Sequence, residues 1–434
     1  MANYYITGGR RLKGTLTTNT SKNTAVVLLN AALLNRGKTT LQEVPKIEEV
    51  QRIIEVLQSL GTKISWTGNR SLEIIPPKKI NLEKINYQSA VKTRSILFLL
   101  SVMLHHQKHF LVPQPGGCRL GERTVKPHLY ALQNFGVKIK TLRKHYEVTV
   151  DHLVPAKNLV LYEAGDTVTE NAIMAAALIP GKTVIKFASA NYQVQDLCYF
   201  LAKLGVKIKG IGTTTLEIEG KKNIKKNISY HLTEDPIEAM LFIAIAATTN
   251  SSLKIKRCPI DFLEIELLKL EKMGFNYKIL RRYKAKNQKS NLVDIQTQKS
   301  QLVALEEKIS TQPYPGLNID NLPFFAPIAT QAKGTTFIFD WVYEERVIYF
   351  AELNKLGAKV KLVDPHRVYI SGPTNLRANE VICPPALRPA AILIPAMLAA
   401  EGQSILRNTY SIERGYEDLC GRLQKIGAKI EKFN

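Results

Sequence analysis

A cysteine between two arginines, in a segment rich in glycine, is the first feature of the sequence that could do chemistry. Residues 114–123 read QPGGCRLGER, with Cys118 followed by Arg119 and Arg123. Proline and several glycines so close together predict a loop. Neighbouring guanidinium groups lower the pKa of a thiol and favour the thiolate. A free cysteine is commonly a small buried apolar side chain, but the glycines and arginines around Cys118 favour a reactive thiol.

Two further sets of residues could bind an anion. Ser21 precedes an apolar helical pattern, so it could cap a helix whose positive end also carries Lys22. Three arginines, Arg346, Arg388 and Arg414, each fall at a predicted strand–helix junction near the end of the chain. Guanidinium groups that converge can clamp a phosphate or a carboxylate. Taken singly, a lysine at this position is more commonly a solvated side chain of a first turn, and an arginine at such a junction more commonly forms a structural ion pair.

The elements that would position these residues recur six times. Each copy is a bulky apolar residue, a glycine, one variable residue and then, in most copies, lysine and a β-branched residue, at spacings of 69 to 83 residues. Glycine ends a helix in the left-handed conformation, and β-branched residues favour a following strand. A repeat of this length predicts one α/β unit used six times. The repeat glycines are Gly61, Gly136, Gly205, Gly274, Gly357 and Gly427.

Each unit also contains a helix that is apolar on all sides, which predicts burial on every side. Helices inside and sheets outside follow from that pattern. A chain of 434 residues exceeds the size of a single core, so we expect two domains of three units each. We predict a first domain of residues 1–21 and 234–434, and a second of residues 22–233 that carries the Cys118 loop.

Net charge, apolar runs and cysteine number limit the classes of function that the chain could have. The net charge of +23 is spread over the chain, apart from the basic run Leu280–Lys289, which we predict to be an inserted, mobile loop. The longest apolar run, Ser95–Leu104, is too short to span a bilayer. No secretory pattern opens the sequence, and five cysteines show no paired spacing. We expect a cytoplasmic protein that binds neither nucleic acid nor membrane, and no metal or other cofactor.

With these residues assembled, the chain resembles the enolpyruvyl transferases over nearly its full length. The most specific motif is Pro-Gly-Gly-Cys followed by Gly-x-Arg, here within residues 115–123. Other segments match the family's Lys-Asn pair and its Pro-Gly-Phe-Pro-Thr-Asp, Phe-Glu-Asn-Arg and Ile-Asp-Arg-Gly-Tyr-Glu stretches. These segments are Ser21–Asn23, Pro315–Asp320, Tyr343–Arg346 and Ile412–Glu417.

The resemblance implies an α/β fold, a two-domain inside-out α/β barrel built from six repeated units. It also implies transfer of the enolpyruvyl group of phosphoenolpyruvate to the 3′-hydroxyl of UDP-N-acetylglucosamine, with release of phosphate. That step opens peptidoglycan precursor synthesis. Asp320 would be the base, and Cys118 the acid or a covalent holder of phosphoenolpyruvate. The substrate-binding residues implied are Lys22, Asn23, Arg94, Arg123, Arg346, Arg388 and Arg414.

Several positions depart from the family. Ala386 replaces an aspartate two residues before Arg388, which predicts strong phosphate binding and slow turnover. Lys126 replaces an acidic residue, and the segments 165–167 and 191–193 replace Ser-Val-Gly and Glu-Pro-Glu of the nucleotide side. These changes leave two alternatives open: a paralogue that uses another hydroxyl acceptor, or a catalytically weak binding protein.

Overall fold

The computed structural model describes residues 2–116 and 124–433. Within these ranges the chain divides into two compact units, each much larger than the single α/β repeat described above. The first unit contains residues 2–19 and 234–433, and the second contains residues 20–116 and 124–233. That each unit folds independently, as a domain, stays a prediction.

Short strands alternate with helices along both units. The strands are β1 Asn3–Thr7, β2 Lys13–Thr17, β3 Thr39–Gln42, β4 Lys63–Trp66, β5 Ser71–Ile75, β6 His109–Pro113, β7 Val137–Thr141, β8 His145–Val150, β9 Leu159–Val160, β10 Gly181–Lys186, β11 Lys207–Lys209, β12 Thr215–Gly220, β13 Ile228–His231, β14 Ser252–Pro259, β15 Tyr277–Lys284, β16 Asn291–Thr297, β17 Ile309–Ser310, β18 Gly334–Phe339, β19 Lys359–Asp364, β20 Arg367–Gly372, β21 Glu380–Ile382, β22 Gln403–Arg407 and β23 Lys429–Phe433.

The helices are of two kinds, apolar and amphipathic. The α-helices are α1 Lys22–Ala31, α2 Glu48–Ser59, α3 Tyr87–Ala90, α4 Phe98–Met103, α5 Lys126–Gln133, α6 Asp166–Ala177, α7 Tyr192–Leu204, α8 Pro236–Thr248, α9 Glu264–Lys272, α10 Phe325–Ala329, α11 Leu387–Ala391, α12 Leu393–Ala399, α13 Tyr410–Glu413 and α14 Leu419–Gln424. Short 3₁₀ helices connect several of them, the longest being Val347–Leu356.

The strands of the described ranges form six sheets, three in each unit. The first unit has the orders β21-β22-β1-β23, β15-β16-β14-β2 and β17-β18-β20-β19. The second has β13-β3-β5-β4, β11-β12-β10-β9 and the three-stranded β6-β8-β7. In each four-stranded sheet one outer strand is parallel to its neighbour and the other pairs are antiparallel, as in β21 beside β22. The predicted six-fold repetition is confirmed.

The apolar helices lie inside the sheets. In the second unit α4 packs against both α1 and α6, and in the first unit α8, α10 and α12 pack on one another. Every residue of α8 is buried. Because these helices have no polar face to offer water, their sides must be covered by other helices and by the sheets. The inside-out arrangement expected from the sequence follows from that covering.

The repeat glycine ends the amphipathic helix in all six copies. The six glycines have φ between +80° and +102°, a region that favours glycine. At Gly205, after α7, the glycine N–H bonds to Ala202 and the next N–H, that of Val206, bonds to Leu201. This pair of bonds closes the helix and releases the chain into β11. Before Gly357 the helix is the 3₁₀ helix Val347–Leu356 rather than an α-helix.

The basic run Leu280–Lys289 is only in part the loop that we predicted. Its first half, residues 280–284, belongs to β15, which pairs antiparallel with β16 through residues Tyr277–Lys284, and its second half is the turn that joins the two strands. β15 is the outer strand of its sheet, and an outer strand tolerates exposed charge because one of its edges faces solvent. The composition of the run therefore concealed a hairpin.

Within the described ranges, no helix is long and apolar enough to cross a membrane.

Candidate active site

In the first unit the predicted base, Asp320, is paired with a buried arginine. Asp320 precedes the 3₁₀ helix Leu322–Phe324, and its side chain is partly exposed. Arg388 stands in the first turn of α11 with only 6% of its surface exposed. Its Nη2 lies 3.3 Å from Asp320 Oδ2, and its Nη1 donates to the Tyr416 hydroxyl at 2.8 Å. Two contacts therefore hold the guanidinium group against the carboxylate.

Arg346 approaches the same carboxylate from another element. It is 1% exposed, its Nε donates to Asp340, and its guanidinium group stacks 4.4 Å from the centre of the Tyr343 ring. Its Nη1 lies 3.9 Å from Asp320 Oδ1. Within the described chain, neither Nη1 nor Nη2 has a hydrogen-bond partner. Buried donors are costly to leave unsatisfied, so this end of Arg346 is suited to an anionic ligand.

Burial sets the electrostatics of this cluster. It raises the pKa of the Asp235 carboxyl, and Arg388 opposes that shift. Burial also raises the pKa of the Tyr416 phenol, again opposed mainly by Arg388. Arg388 therefore acts on a carboxylate or phenol at three positions, Asp235, Asp320 and Tyr416. Arg414, the third predicted arginine, is half-buried at the end of α13, two residues before Tyr416.

In the second unit the start of α1 is held by neutral groups. The Ser21 hydroxyl accepts from the Thr24 N–H at 3.2 Å, which confirms that Ser21 caps the helix. Lys22 and Asn23 follow in the first turn. The Tyr192 hydroxyl lies 3.2 Å from both Ser21 Oγ and Asn23 Nδ2. A buried tyrosine thus fixes the orientation of Asn23, a role that the sequence did not suggest.

Two segments that depart from the family are bonded to each other. Asn191 Nδ2 donates to Asp166 at 2.9 Å, and Ser189 Oγ donates to the other oxygen of Asp166 at 2.5 Å. Gln193 Nε2 donates to the buried Glu170 at 3.1 Å. The bond from Asn191 to Asp166 therefore joins the two changed segments directly, whereas Gln193 bonds to Glu170, outside them.

The remaining predicted residues lie apart or outside the described ranges. Arg94 Nη2 donates to the Thr124 carbonyl at 3.2 Å. Lys126 is exposed at the start of α5. The predictions for Cys118 and Arg123 fall outside the described residues.

Ala386, which stands where the family has an aspartate, occupies the N-cap position of α11. It is fully buried and lies two residues before Arg388. Its methyl group cannot accept the hydrogen bond that an aspartate would at this position. The predicted effect on phosphate binding stays a prediction.

Two solved structures share this fold. The crystal structure of the enolpyruvyl transferase NikO from Streptomyces tendae superposes with a TM-score of 0.85 at 22% identity, over 100% of this chain and 99% of that one. EPSP synthase from Acinetobacter baumannii gives a TM-score of 0.75 at 17% identity, with both chains fully covered. At these identities the likeness concerns the fold, and it confirms the predicted fold class.

Sequence comparison then sets the family. The model of EPSP synthase (3-phosphoshikimate 1-carboxyvinyltransferase) matches residues 6–423, and the chain belongs to this family of enolpyruvyl transferases. Two curated relatives are each named UDP-N-acetylglucosamine 1-carboxyvinyltransferase and are each 33% identical. The protein of Treponema denticola covers 99% of both chains, and that of Borreliella burgdorferi covers 100% of this chain and 99% of its own. The predicted family and the transferase class are confirmed.

Proposed function

We propose that this chain transfers the enolpyruvyl group of phosphoenolpyruvate to the 3′-hydroxyl of UDP-N-acetylglucosamine and releases phosphate. Relatives of that name match from end to end, which favours this acceptor over another hydroxyl compound and over a binding protein without turnover. The observation that carries the proposal is the position of Asp320 between Arg388 and Arg346. The step would open peptidoglycan synthesis in the cytoplasm.

The reaction is an addition followed by an elimination. The sugar oxygen bonds to C2 of the enolpyruvyl group while a proton adds to C3. The C2–O bond to phosphate then breaks as a proton leaves C3. Such a reaction needs a base for the hydroxyl, an acid for the methylene carbon, and cations for phosphate and carboxylate.

Asp320 is our candidate for the base. Its carboxylate is partly exposed, so a substrate hydroxyl can reach it, while Arg388 donates to one of its oxygens and Arg346 lies 3.9 Å from the other. Opposite charges at this distance favour the ionised form of a carboxylate, which is the form that accepts a proton. Cys118 would supply the proton to C3 or hold phosphoenolpyruvate covalently.

The anionic groups would be bound by charge and by a helix end. The buried Nη atoms of Arg346 offer donors to a phosphate or a carboxylate, and Arg388 and Arg414 belong to the same unit. Lys22 lies at the N-terminus of α1, where free N–H groups favour an anion. Arg123 completes this set, and Asn23 and Arg94 would contact the substrates.

Phosphate release from phosphoenolpyruvate tests the proposal. We expect release that depends on UDP-N-acetylglucosamine and none with 3-phosphoshikimate. Release with 3-phosphoshikimate alone would contradict the acceptor. Binding of phosphoenolpyruvate without release, with either acceptor present, would contradict the activity and favour a binding protein.

A further inference from the structure

A buried carboxylate lies behind the segment that carries Asp320. Glu266, on the first turns of α9, is 1% exposed, whereas Glu264 on the same helix is exposed. Carboxylates are almost never fully buried unless hydrogen bonds or charges compensate them. The contacts of Glu266 therefore indicate what the carboxylate does.

One oxygen of Glu266 accepts two hydrogen bonds from a single segment. Oε1 lies 3.1 Å from the backbone nitrogen of Asn318 and 2.7 Å from Nδ2 of Asn321. Asn321 is itself fully buried. Because one atom holds both ends of the short stretch 318–321, Glu266 fixes its position against α9.

Asn318 passes this constraint to Asp320. Its Oδ1 accepts the backbone N–H of Asp320 at 2.9 Å, and its carbonyl accepts the N–H groups of Asn321 and Leu322. The contacts run from Glu266 to Asn318 and from Asn318 to Asp320. The segment is therefore closed on itself and tied to the helix through Asn318 and Asn321, on either side of the candidate base.

These bonds need a backbone N–H and a side-chain oxygen at position 318, and Asn318 supplies both. In the family's Pro-Gly-Phe-Pro-Thr-Asp stretch this position is proline. Proline has no N–H to donate to Glu266 and no side-chain oxygen for the Asp320 N–H. The tether through Glu266 and Asn318 is thus a feature of this chain, in place of the stiffness that a proline ring would provide.

The tether is costly to maintain. Burial raises the pKa of Glu266 to about 7, and the hydrogen bonds from Asn321 and Asn318 partly oppose the shift, as does the charge of Lys269. From the segment, only the neutral amides of Asn318 and Asn321 face the carboxylate through hydrogen bonds. An apolar side chain would fill the same space without that desolvation. The gain from Glu266 is therefore orientation of the segment rather than stability.

We propose that Glu266 is a positioning residue, which acts through Asn318 to set the direction in which Asp320 presents its carboxylate. The inference rests on the proposed function for its catalytic part, but the tether itself can be tested without turnover.

The test compares four variants of the full chain. Glu266→Leu removes the carboxylate oxygen that accepts both hydrogen bonds, and Glu266→Gln keeps an acceptor oxygen. Asn318→Ala breaks only the side-chain bond to Asp320. Glu264→Leu is the matched control, because it makes the same change at an exposed position of the same helix. Each variant is measured for kcat, for KM of both substrates, and for hydrogen–deuterium exchange of the peptide containing residues 317–322.

We expect Glu266→Leu to lower kcat about 10- to 100-fold with each KM changed less than about threefold, because substrate binding does not use the tether. Amide exchange in the segment should rise in the same variant. Asn318→Ala should show a smaller loss of kcat, Glu266→Gln should restore most of it, and Glu264→Leu should match the unsubstituted protein.

Three results would overturn the proposal. One is an unchanged kcat in Glu266→Leu, and another is unchanged exchange in the segment. The third is an equal loss in Glu266→Gln and Glu266→Leu, since the acceptor oxygen would then be irrelevant. If Glu266→Leu does not fold, Asn318→Ala decides, because it leaves the buried carboxylate in place. If the unsubstituted protein releases no phosphate, the proposed function fails, and exchange alone decides the tether.

Discussion

The two units hold their candidate site residues by different physical means. In the first unit charge is buried, and Asp320 lies between two arginines that are 6% and 1% exposed, Arg388 and Arg346. In the second unit neutral groups hold the start of α1 around Lys22, since Ser21 and Asn23 both contact the Tyr192 hydroxyl. The same repeated architecture thus supports one charged cluster and one neutral cluster.

This difference predicts which substitutions should have the largest effects on activity and stability. A buried charge that loses its partner keeps its desolvation cost, which is several kcal/mol in proteins (about 3–5 kcal/mol for a broken pair). A neutral hydrogen bond contributes only about 1 kcal/mol. We therefore expect large effects in the first unit and small ones in the second.

The largest effect should come from the carboxylate at the centre of the charged cluster. Asp320→Asn should lower kcat about 10²- to 10⁴-fold, because the amide cannot take the proton of the sugar hydroxyl. KM for both substrates should change little. Steady-state phosphate release measures this, and Asp364→Asn is the control, since Asp364 is also paired with an arginine but lies at the end of strand β19. Near-normal turnover of Asp320→Asn would show that Asp320 is structural.

The order in which the cysteines react should follow the pKa values of their thiols, which burial raises in both units. Burial raises the pKa of Cys198 in the second unit and of Cys258 in the first, raises that of Cys383 to about 12, and also raises that of Cys420. At neutral pH these four thiols should react slowly, so an epoxide such as fosfomycin should alkylate Cys118 first, by a factor of about ten or more. Mass spectrometry after brief alkylation measures the order. Labelling of any other cysteine before Cys118 would contradict the prediction.

Glu266 tests the cost of buried charge in the first unit. Its pKa is raised from 4.5 to about 7, so the folded protein binds more protons than the unfolded chain between these values, and its stability falls as pH rises through this window. Glu266→Gln removes this loss. Its free energy of unfolding should exceed that of the unsubstituted protein at pH 8, by at most about 3 kcal/mol, and the difference should shrink towards pH 4.5. Urea unfolding at pH 5 and pH 8 measures both values, and a difference independent of pH would contradict the shift.

Ala386 tests whether the charged cluster lacks a negative charge. Ala386→Asp should weaken binding of inorganic phosphate about tenfold, because a carboxylate two residues before Arg388 would compete with the anion. It should also raise turnover. Titration calorimetry measures the affinity, with Ala386→Asn as the uncharged control of equal size. Equal phosphate affinity in both variants would place position 386 outside the anion site.

The smallest effect should come from the neutral cluster. Tyr192→Phe removes the hydroxyl that contacts Ser21 and Asn23, so we expect a rise of about fivefold in KM for phosphoenolpyruvate, equivalent to about 1 kcal/mol. Tyr230→Phe is the matched control, because it removes a buried hydroxyl that bonds to Asp196 in the same unit. A loss in Tyr192→Phe as large as that in Asp320→Asn would break the contrast between the units.

Local rules made the architecture predictable from the sequence. A glycine that ends a helix and the β-branched residues after it act over a few residues, and all six copies adopt the predicted left-handed conformation. Ser21 as a helix cap follows from the same kind of rule. The run Leu280–Lys289 shows the limit, because its charged composition resembled a loop throughout, whereas its first half is a strand that pairs with the next strand along the chain.

The repeated fold, the family and the types of residue that could do the chemistry were therefore predictable from the sequence. Which residues contact one another depends on the tertiary structure. Glu266 reaches Asn318 across 52 residues of chain, and Tyr192 reaches Ser21 across 171. Short-range propensity carries no information about such contacts, because they arise only when separate repeats pack their helices and loops against one another.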